Sequence, residues 1–124
     1  MKTRMNIFRV GQPIEVREIE FEERQHLEPG DAGPGYVQLK AVIEPLLDGD
    51  PMEHVSVLWE GKRADMFVSE LGHVPLTTRL PLQCNDAATA IYRANWLKHH
   101  PGTDPESLHW IAGTAVLFDD LVWF

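Results

Sequence analysis

Residues 85–99, NDAATAIYRANWLKH, carry the strongest helical signal in the chain. Asn85 suits the N-cap position, because its side-chain oxygen can accept a hydrogen bond from a backbone N–H of the first turn. Asp86 follows, and a negative charge is favourable at the positive end of the helix dipole. Pro101 and Gly102 end the pattern. We therefore predict a main helix over about 85–99.

This helix presents two stripes of side chains. The first consists mainly of small apolar residues at helical spacing, namely Ala87, Ala90, Ile91, Ala94 and Leu97. Small side chains allow a helix to approach its neighbour closely, so we predict that this stripe packs on a sheet. The second stripe contains Tyr92, Trp96 and His99.

The composition indicates a folded domain with its own core. The chain has 124 residues, of which 44% are apolar, and this length favours a single domain over residues 1–124. We divide it into an N-terminal hairpin region at about 1–28, a flexible Pro/Gly-rich loop at 29–35 and a core at 36–124. A lone cysteine and the lack of an apparent export signal predict a cytoplasmic protein.

Net charge and hydropathy bear on the possible partners. The formal net charge of −8 disfavours direct nucleic-acid binding, which requires a basic face. No apolar run approaches the roughly 20 residues of a membrane span, so we expect no membrane insertion.

Strands are predicted on both sides of the main helix. Residues 5–10 and 14–21 have strand composition, and a bulge or a change of element near Arg17-Glu18 would reconcile the uneven alternation of the second strand. Residues 53–69 alternate as a hairpin that turns at 60–62. After the helix, residues 113–118 form a buried strand, and 121–124 are predicted to return beside it.

Residues 36–46 fit both a helical and a strand pattern, and we choose a short helix at about 35–45. The sequence therefore predicts an α+β fold. It has a mostly antiparallel sheet, the main helix packed across it, and the shorter helix.

Several short motifs occur together along residues 36–118. They are 66–68 (MFV), Leu80-Pro81, Asn85, Ala88-Thr89, Tyr92-Arg93 and 113–116 (GTAV). In this order they resemble a small α+β family of uncharacterised phage and mobile-element domains. The chain departs from the family pattern between Pro81 and Asn85, where three residues intervene instead of one. The family has no known function, so the resemblance implies a fold and a phage or mobile-element setting, without a reaction.

Candidate catalytic and metal-binding residues are dispersed. Cys84 lies near a helix N-terminus, where a thiol can become nucleophilic, and His54 and His73 are the upstream candidates for its base. We interpret Cys84 instead as a small buried packing residue.

Histidines and acidic turns could in principle ligate metals. His99, His100 and His109 surround the end of the main helix, but adjacent helical residues point about 100° apart. Residues 48–50 (DGD) could begin a calcium-binding EF-hand loop, but the glutamate that such a loop requires at its twelfth position is absent. We predict neither a catalytic set, nor a metal site, nor a cofactor.

The surface of the main helix is the candidate partner-binding site. Asn85, Thr89, Tyr92 and Trp96 could present hydrogen-bonding groups and aromatic anchors to another protein. Our hypothesis is a non-catalytic, cytoplasmic interaction protein that binds another macromolecule, with a second copy of the chain as an alternative partner. Two other hypotheses are kept: a small-molecule or metal-dependent enzyme that uses Cys84 and histidines, and an acidic inhibitor of a nucleic-acid-binding protein.

Overall fold

The computed structural model describes residues 1–22, 33–73, 83–104 and 110–123. Its centre is a five-stranded antiparallel sheet with strand order β2-β1-β5-β4-β3. The strands are β1 (Lys2–Phe8), β2 (Glu15–Glu20), β3 (Met52–Trp59), β4 (Lys62–Ser69) and β5 (Ala115–Phe118). Strand β5 lies between β1 and β4, and all four of its residues are buried.

Two helices complete the fold and confirm the predicted α+β class. The shorter helix, α1, spans Tyr36–Ile43 and continues as a 3₁₀ turn over Glu44–Leu47. The main helix, α2, spans Asp86–His99, with Asn85 as its N-cap. Of the two patterns found in residues 36–46, the helical one is correct.

The helices cover opposite faces of the sheet, because consecutive residues of a strand point to opposite sides. Buried residues of α1 and its 3₁₀ turn pack with alternate residues of the strands, in a cluster formed by Met5, Ile7, Phe21, Leu39, Ile43, Leu47, Phe67, Val116, Phe118 and Val122. We call this the α1 core. The intervening strand residues form the α2 core, which contains Phe8, Val57, Ala64, Met66, Val68, Ala88, Ile111, Ala115 and Leu117.

The hairpin of β3 and β4 forms as the alternation predicts. Its two strands pair from Met52 with Ser69 to Trp59 with Lys62. Glu60 and Gly61 make the connection, and both have positive φ, 52° and 80°. This is the backbone of a tight turn whose twist matches that of the paired strands. Glycine adopts this conformation readily, and Glu60 adopts it at a steric cost.

Two strand predictions are wrong. Strands β1 and β2 pair in unbroken register from Lys2 with Glu20 to Ile7 with Glu15, so the chain has no bulge near Arg17. Residues 121–123 do not form a strand beside β5. Instead, the backbone N–H groups of Val122 and Trp123 donate to the side chain of Asp65. The uneven alternation of β2 reflects its edge position, where Val16 is left exposed.

The sheet-facing stripe of α2 also differs from the prediction. Ala88 and Thr89 are the buried residues of this helix, and Ile91 and Tyr92 pack against the α2 core. The predicted contacts Ala87, Ala90 and Ala94 are exposed. Alanine gives little energetic preference for either side, so the hydrogen bonds of Asn85 and Thr89 determine the rotation of the helix.

Several predictions fall outside the described residues. The predicted loop at 29–35 lies mostly in the range 23–32, and the motif Leu80-Pro81 lies in the range 74–82. His109 lies in the range 105–109.

Candidate functional site

An open groove lies between the second half of α2 and the edge strand β3. Its volume is about 560 Å³. The strand contributes Glu53, His54, Val55 and Ser56, and the helix side contributes Tyr92, Asn95, Trp96, His99 and His100. We call this the aromatic groove.

A column of three rings forms the helical wall of the aromatic groove. Tyr92, Trp96 and His100 are spaced four residues apart, so they lie above one another on the same side of the helix end. The Trp96 and His100 rings stack with centroids 4.4 Å apart, and the Tyr92 and Trp96 centroids are 6.5 Å apart. Trp96 retains 37% of its accessible surface. A large, partly exposed ring held by its neighbours is the kind of side chain that anchors a protein partner.

The opposite wall is a sheet edge whose backbone is partly occupied. Asn95 of α2 donates through Nδ2 to the carbonyl oxygen of Ser56 at 3.1 Å. At the other end of the strand, the Met52 N–H donates to Oε2 of Glu44 at 3.1 Å. A partner strand would have to displace both contacts in order to pair along the edge. The groove therefore suits inserted side chains better than an added strand.

Two of the four predicted partner-binding residues lie inside the protein. Asn85 is only 2% exposed. Its Oδ1 accepts from the Ala88 N–H at 3.1 Å, and its Nδ2 donates to the carbonyls of Phe8 at 2.8 Å and Gly113 at 2.9 Å. Asn85 thus caps the helix and joins it to β1 and to the segment before β5.

Thr89 has a similar internal role. Its hydroxyl accepts from the Ile111 N–H at 2.9 Å and lies 3.3 Å from the Ile111 carbonyl oxygen. Of the predicted set, Tyr92 and Trp96 are therefore the residues that the structure places together at the aromatic groove.

The interpretation of Cys84 as a buried packing residue is wrong, because its side chain is exposed. Its Sγ lies 3.5 Å from Oδ1 of Asp86 and 3.8 Å from Oγ1 of Thr89. Of its two candidate bases, His54 is hydrogen bonded to Asp65, and His73 ends the 3₁₀ turn Glu70–His73. The thiol thus contacts a carboxylate and a hydroxyl, neither of which would stabilise a thiolate as a cation does.

The histidines near the end of α2 do not form a metal centre with their described neighbours. His99 and His100 both line the aromatic groove. In the ranges that the structure describes, no three His, Cys, Asp or Glu side chains form a group that could hold a metal ion. The same holds for the DGD turn, where Oδ2 of Asp50 accepts from the Ser69 hydroxyl at 2.9 Å.

A polar cluster that the sequence analysis missed lies on the α1 side of the β3–β4 hairpin. Asp65 is 2% exposed, and its Oδ1 lies 2.7 Å from Nε2 of His54. Burial alone would raise the pKa of Asp65, but hydrogen bonds from His54 and from the backbone amides of Trp123 and Val122 outweigh burial and lower it. The carboxylate is therefore stably ionised inside the fold.

This pairing was detectable in principle. The predicted turn at 60–62 fixes the register of the hairpin, in which His54 lies diagonally across from Asp65. Diagonal neighbours are within reach of longer side chains. The aspartate among the apolar residues 64–68 of β4 is therefore a signal in the sequence for a polar partner at His54.

Acidic groups near the β1–β2 edge alternate with basic ones. Lys2 pairs in register with Glu20, and Arg4 pairs with Glu18. Arg4 also lies 3.6 Å from Asp119. This interleaving gives mixed charge along the edge instead of a concentrated acidic surface.

Comparison with protein-family models, with curated proteins and with solved structures gives no match to this chain. The resemblance to phage and mobile-element domains thus stays a prediction, and the function has to be argued from geometry. Among the described residues, no helix is both long and apolar enough to cross a bilayer.

Proposed function

We propose that this protein is a non-catalytic binding module that recognises another protein through the aromatic groove. The observation that carries the proposal is the arrangement of Trp96, partly exposed and stacked on His100, opposite the edge strand β3. Tryptophan and tyrosine are enriched among the residues that dominate binding energies at protein interfaces. The phage or mobile-element setting is part of this proposal and rests on the resemblance alone.

Rigidity of the groove walls supports the proposal. Asn95 ties the helix to the strand through the Ser56 carbonyl, and the T-shaped contact of Trp59 with Phe8, 5.7 Å between centroids, joins the far end of the strand to the α2 core. A surface that is already ordered loses less conformational entropy when a partner binds. We therefore expect the groove to bind an inserted apolar or aromatic side chain without rearranging.

The geometry supports the enzyme hypothesis less well. A thiol nucleophile requires a nearby base or cation, whereas the Cys84 thiol contacts Asp86 and Thr89. The acidic-inhibitor hypothesis is also weaker, because Lys2 and Arg4 interrupt the carboxylates on the β1–β2 edge.

Site-specific photo-crosslinking tests this proposal. A photoreactive phenylalanine analogue replaces Trp96 in one protein and Val37 in a matched control. Val37 is 80% exposed and lies on α1, on the opposite side of the sheet. In extract of the source cells, we expect a discrete adduct from position 96 and none of the same mass from position 37.

The adduct mass identifies the type of partner. An adduct of twice the chain mass would identify a second copy as the partner, and a different mass would identify another protein. Identical adducts from both positions, or none from position 96, would contradict the proposal.

Affinity for the captured partner provides the quantitative test. Trp96→Ala should weaken binding by at least about tenfold, since truncation of an anchor residue typically costs about 2 kcal/mol or more. Val37→Ala should leave the affinity within about twofold. Urea unfolding of both variants distinguishes loss of binding from loss of structure.

A further inference from the structure

The backbone of segment 121–123 is hydrogen bonded to one side chain. It follows β5 without forming a strand, although Val122 is completely buried in the α1 core. The backbone N–H groups of Val122 and Trp123 both donate to Oδ2 of Asp65, at 2.8 and 2.9 Å. A single carboxylate oxygen thus accepts the backbone hydrogen bonds of this segment, as the carbonyl groups of a neighbouring strand do elsewhere in the sheet.

The second oxygen of the same carboxylate secures the Trp123 side chain. Oδ1 of Asp65 lies 2.7 Å from Nε2 of His54, and the His54 ring stacks on the Trp123 ring with centroids 4.9 Å apart and planes at 14°. His54 is 17% exposed, so the pair is largely shielded from solvent. The backbone N–H of Trp123 therefore binds this carboxylate directly. The Trp123 ring is held by the same carboxylate through His54.

Two further aromatic rings contact Trp123 in this cluster. Phe67 lies edge-on to Trp123 with centroids 5.8 Å apart, and Tyr36 of α1 lies edge-on to it at 6.3 Å. On α1, the Lys40 ammonium contacts the Tyr36 ring.

Arg63, Glu44 and Asp119 on the neighbouring elements have other partners. Arg63 of β4 donates to the Ser56 hydroxyl, and Glu44 of the 3₁₀ turn accepts from the Met52 N–H. Asp119, which precedes the segment, contacts Arg4 and Asn6. Among the described residues, His54 is thus the titratable side chain that is hydrogen bonded to Asp65.

We propose that Asp65 is an acid-sensitive latch. Its carboxylate holds segment 121–123 against the α1 core, and protonation of that carboxylate releases the segment before the sheet unfolds. The latch shares His54 with the lining of the aromatic groove, but no step of it requires a bound partner, so it is tested separately from the proposed binding function.

Charge is the reason for this sensitivity. Hydrogen bonds to an ionised acceptor are roughly twice as strong as those between neutral groups. When Asp65 takes up a proton, the bonds from Val122 and Trp123 weaken together, and His54 loses its anionic partner. Segment 121–123 lacks the ladder hydrogen bonds of a strand, so it should open before the β4–β5 pairing does.

The direction of the pH dependence follows from the lowered pKa of Asp65. A carboxyl whose pKa is lower in the folded state stabilises the fold above its unfolded pKa, near 4. This stabilisation declines as the pH falls below about 4 and is lost below the folded-state pKa.

Nuclear magnetic resonance of the full chain tests the latch. The amide proton shifts of Val122 and Trp123 should titrate together with the side-chain carboxyl carbon of Asp65. Over the same pH range, exchange protection of these two amides should fall several-fold relative to the amide of Phe67 in β4. The latch is overturned if the two amides do not titrate with Asp65, or if they lose protection only together with Phe67.

Charge-removing variants give a second test at neutral pH. Asp65→Asn keeps the side-chain shape and removes the charge, so Val122 and Trp123 should lose protection by at least about tenfold while Phe67 keeps it. Asp120→Asn removes an exposed carboxylate one residue before the segment and should change all three amides less than about twofold. Full protection of Val122 and Trp123 in Asp65→Asn would overturn the latch. If that variant does not fold, the titration of the unmodified protein decides.

Discussion

Asp65 and Asn85 are two almost completely buried polar side chains that serve the two faces of the sheet. Asp65 joins β4 to His54 and to segment 121–123 on the α1 side. Asn85 joins α2 to Phe8 and Gly113 on the other side. Each holds backbone groups distant in sequence, and they differ mainly in charge. Protonation removes the charge of the Asp65 carboxylate, whereas the side-chain amide of Asn85 does not titrate.

The difference extends to what each residue leaves at the surface. On the α2 side, Asn85 and Thr89 fix the helix from within, and the aromatic groove lies toward its other end. On the α1 side, the anchored segment places Trp123 over His54. The neutral side chain of Asn85 thus stabilises the helix that carries the proposed binding surface. The charged side chain of Asp65 holds the segment that we propose to open in acid.

The largest effect on stability is expected from Asp65→Ala. Removal of this buried, charged acceptor should cost about 3–5 kcal/mol, because the His54 ring and the two backbone amides lose their common partner without regaining water. The free energy of unfolding in urea measures this loss. Asp120→Ala is the matched control on an exposed carboxylate and should change the unfolding free energy by less than about 0.5 kcal/mol. A similar small change for both variants would show that Asp65 is not an anchor.

Asn85→Ala should have the next largest effect, about 2–4 kcal/mol. The helix loses its cap, worth about 1 kcal/mol, and two carbonyl oxygens lose a donor. Asp86→Ala, one residue later and exposed, removes only a favourable charge in the first turn and should cost less than about 1 kcal/mol. If both substitutions cost the same in urea unfolding, the contacts to Phe8 and Gly113 add nothing beyond capping.

Acidification should reduce the contribution of Asp65 to the free energy of unfolding and leave that of Asn85 unchanged. Because the pKa of Asp65 is lowered in the fold, part of the unfolding free energy is lost as the pH falls below about 4. The amide of Asn85 does not titrate, so its contribution stays. Urea unfolding of the unmodified protein and of Asp65→Asn over this range measures the difference, which should shrink toward acid. A difference independent of pH would refute the role of the charge.

The smallest effect on stability is expected from Trp96→Ala. The ring is partly exposed and lies outside the α2 core, so its removal should cost less than about 1 kcal/mol in urea unfolding. The same substitution should reduce partner binding strongly, as described above. A loss of several kcal/mol would instead assign Trp96 to the core and weaken the proposed binding function.

The parts of the fold that depend on local signals were predictable from the sequence. The hairpin follows from alternation on both sides of Gly61, and α2 follows from Asn85 and Asp86 at its start. The sequence also suggested Tyr92 and Trp96 as a pair, and the structure places both at the groove. Prediction of these features requires only the residue period of a helix or strand and the side-chain hydrogen bond that caps a helix.

The remaining features depend on contacts between distant residues. Segment 121–123 is apolar enough to form a strand, but the acceptor for its N–H groups is a side chain 57 residues earlier, on β4. Likewise, the rotation of α2 is fixed by bonds from Asn85 and Thr89 to residues near β5, which outweigh the weak preference of its alanines. Periodicity alone gives no information on such pairings.

Two amide protons offer the most direct test of the contrast between the anchors. The Trp123 N–H donates to Oδ2 of Asp65 at 2.9 Å, and the Ala88 N–H donates to Oδ1 of Asn85 at 3.1 Å. Native-state hydrogen exchange should be measured for both amides at neutral pH and at about pH 3, with each rate corrected for the intrinsic pH dependence of exchange. We expect protection of Trp123 to fall several-fold on acidification while that of Ala88 stays constant. Equal losses at both amides, or no loss at Trp123, would contradict the account.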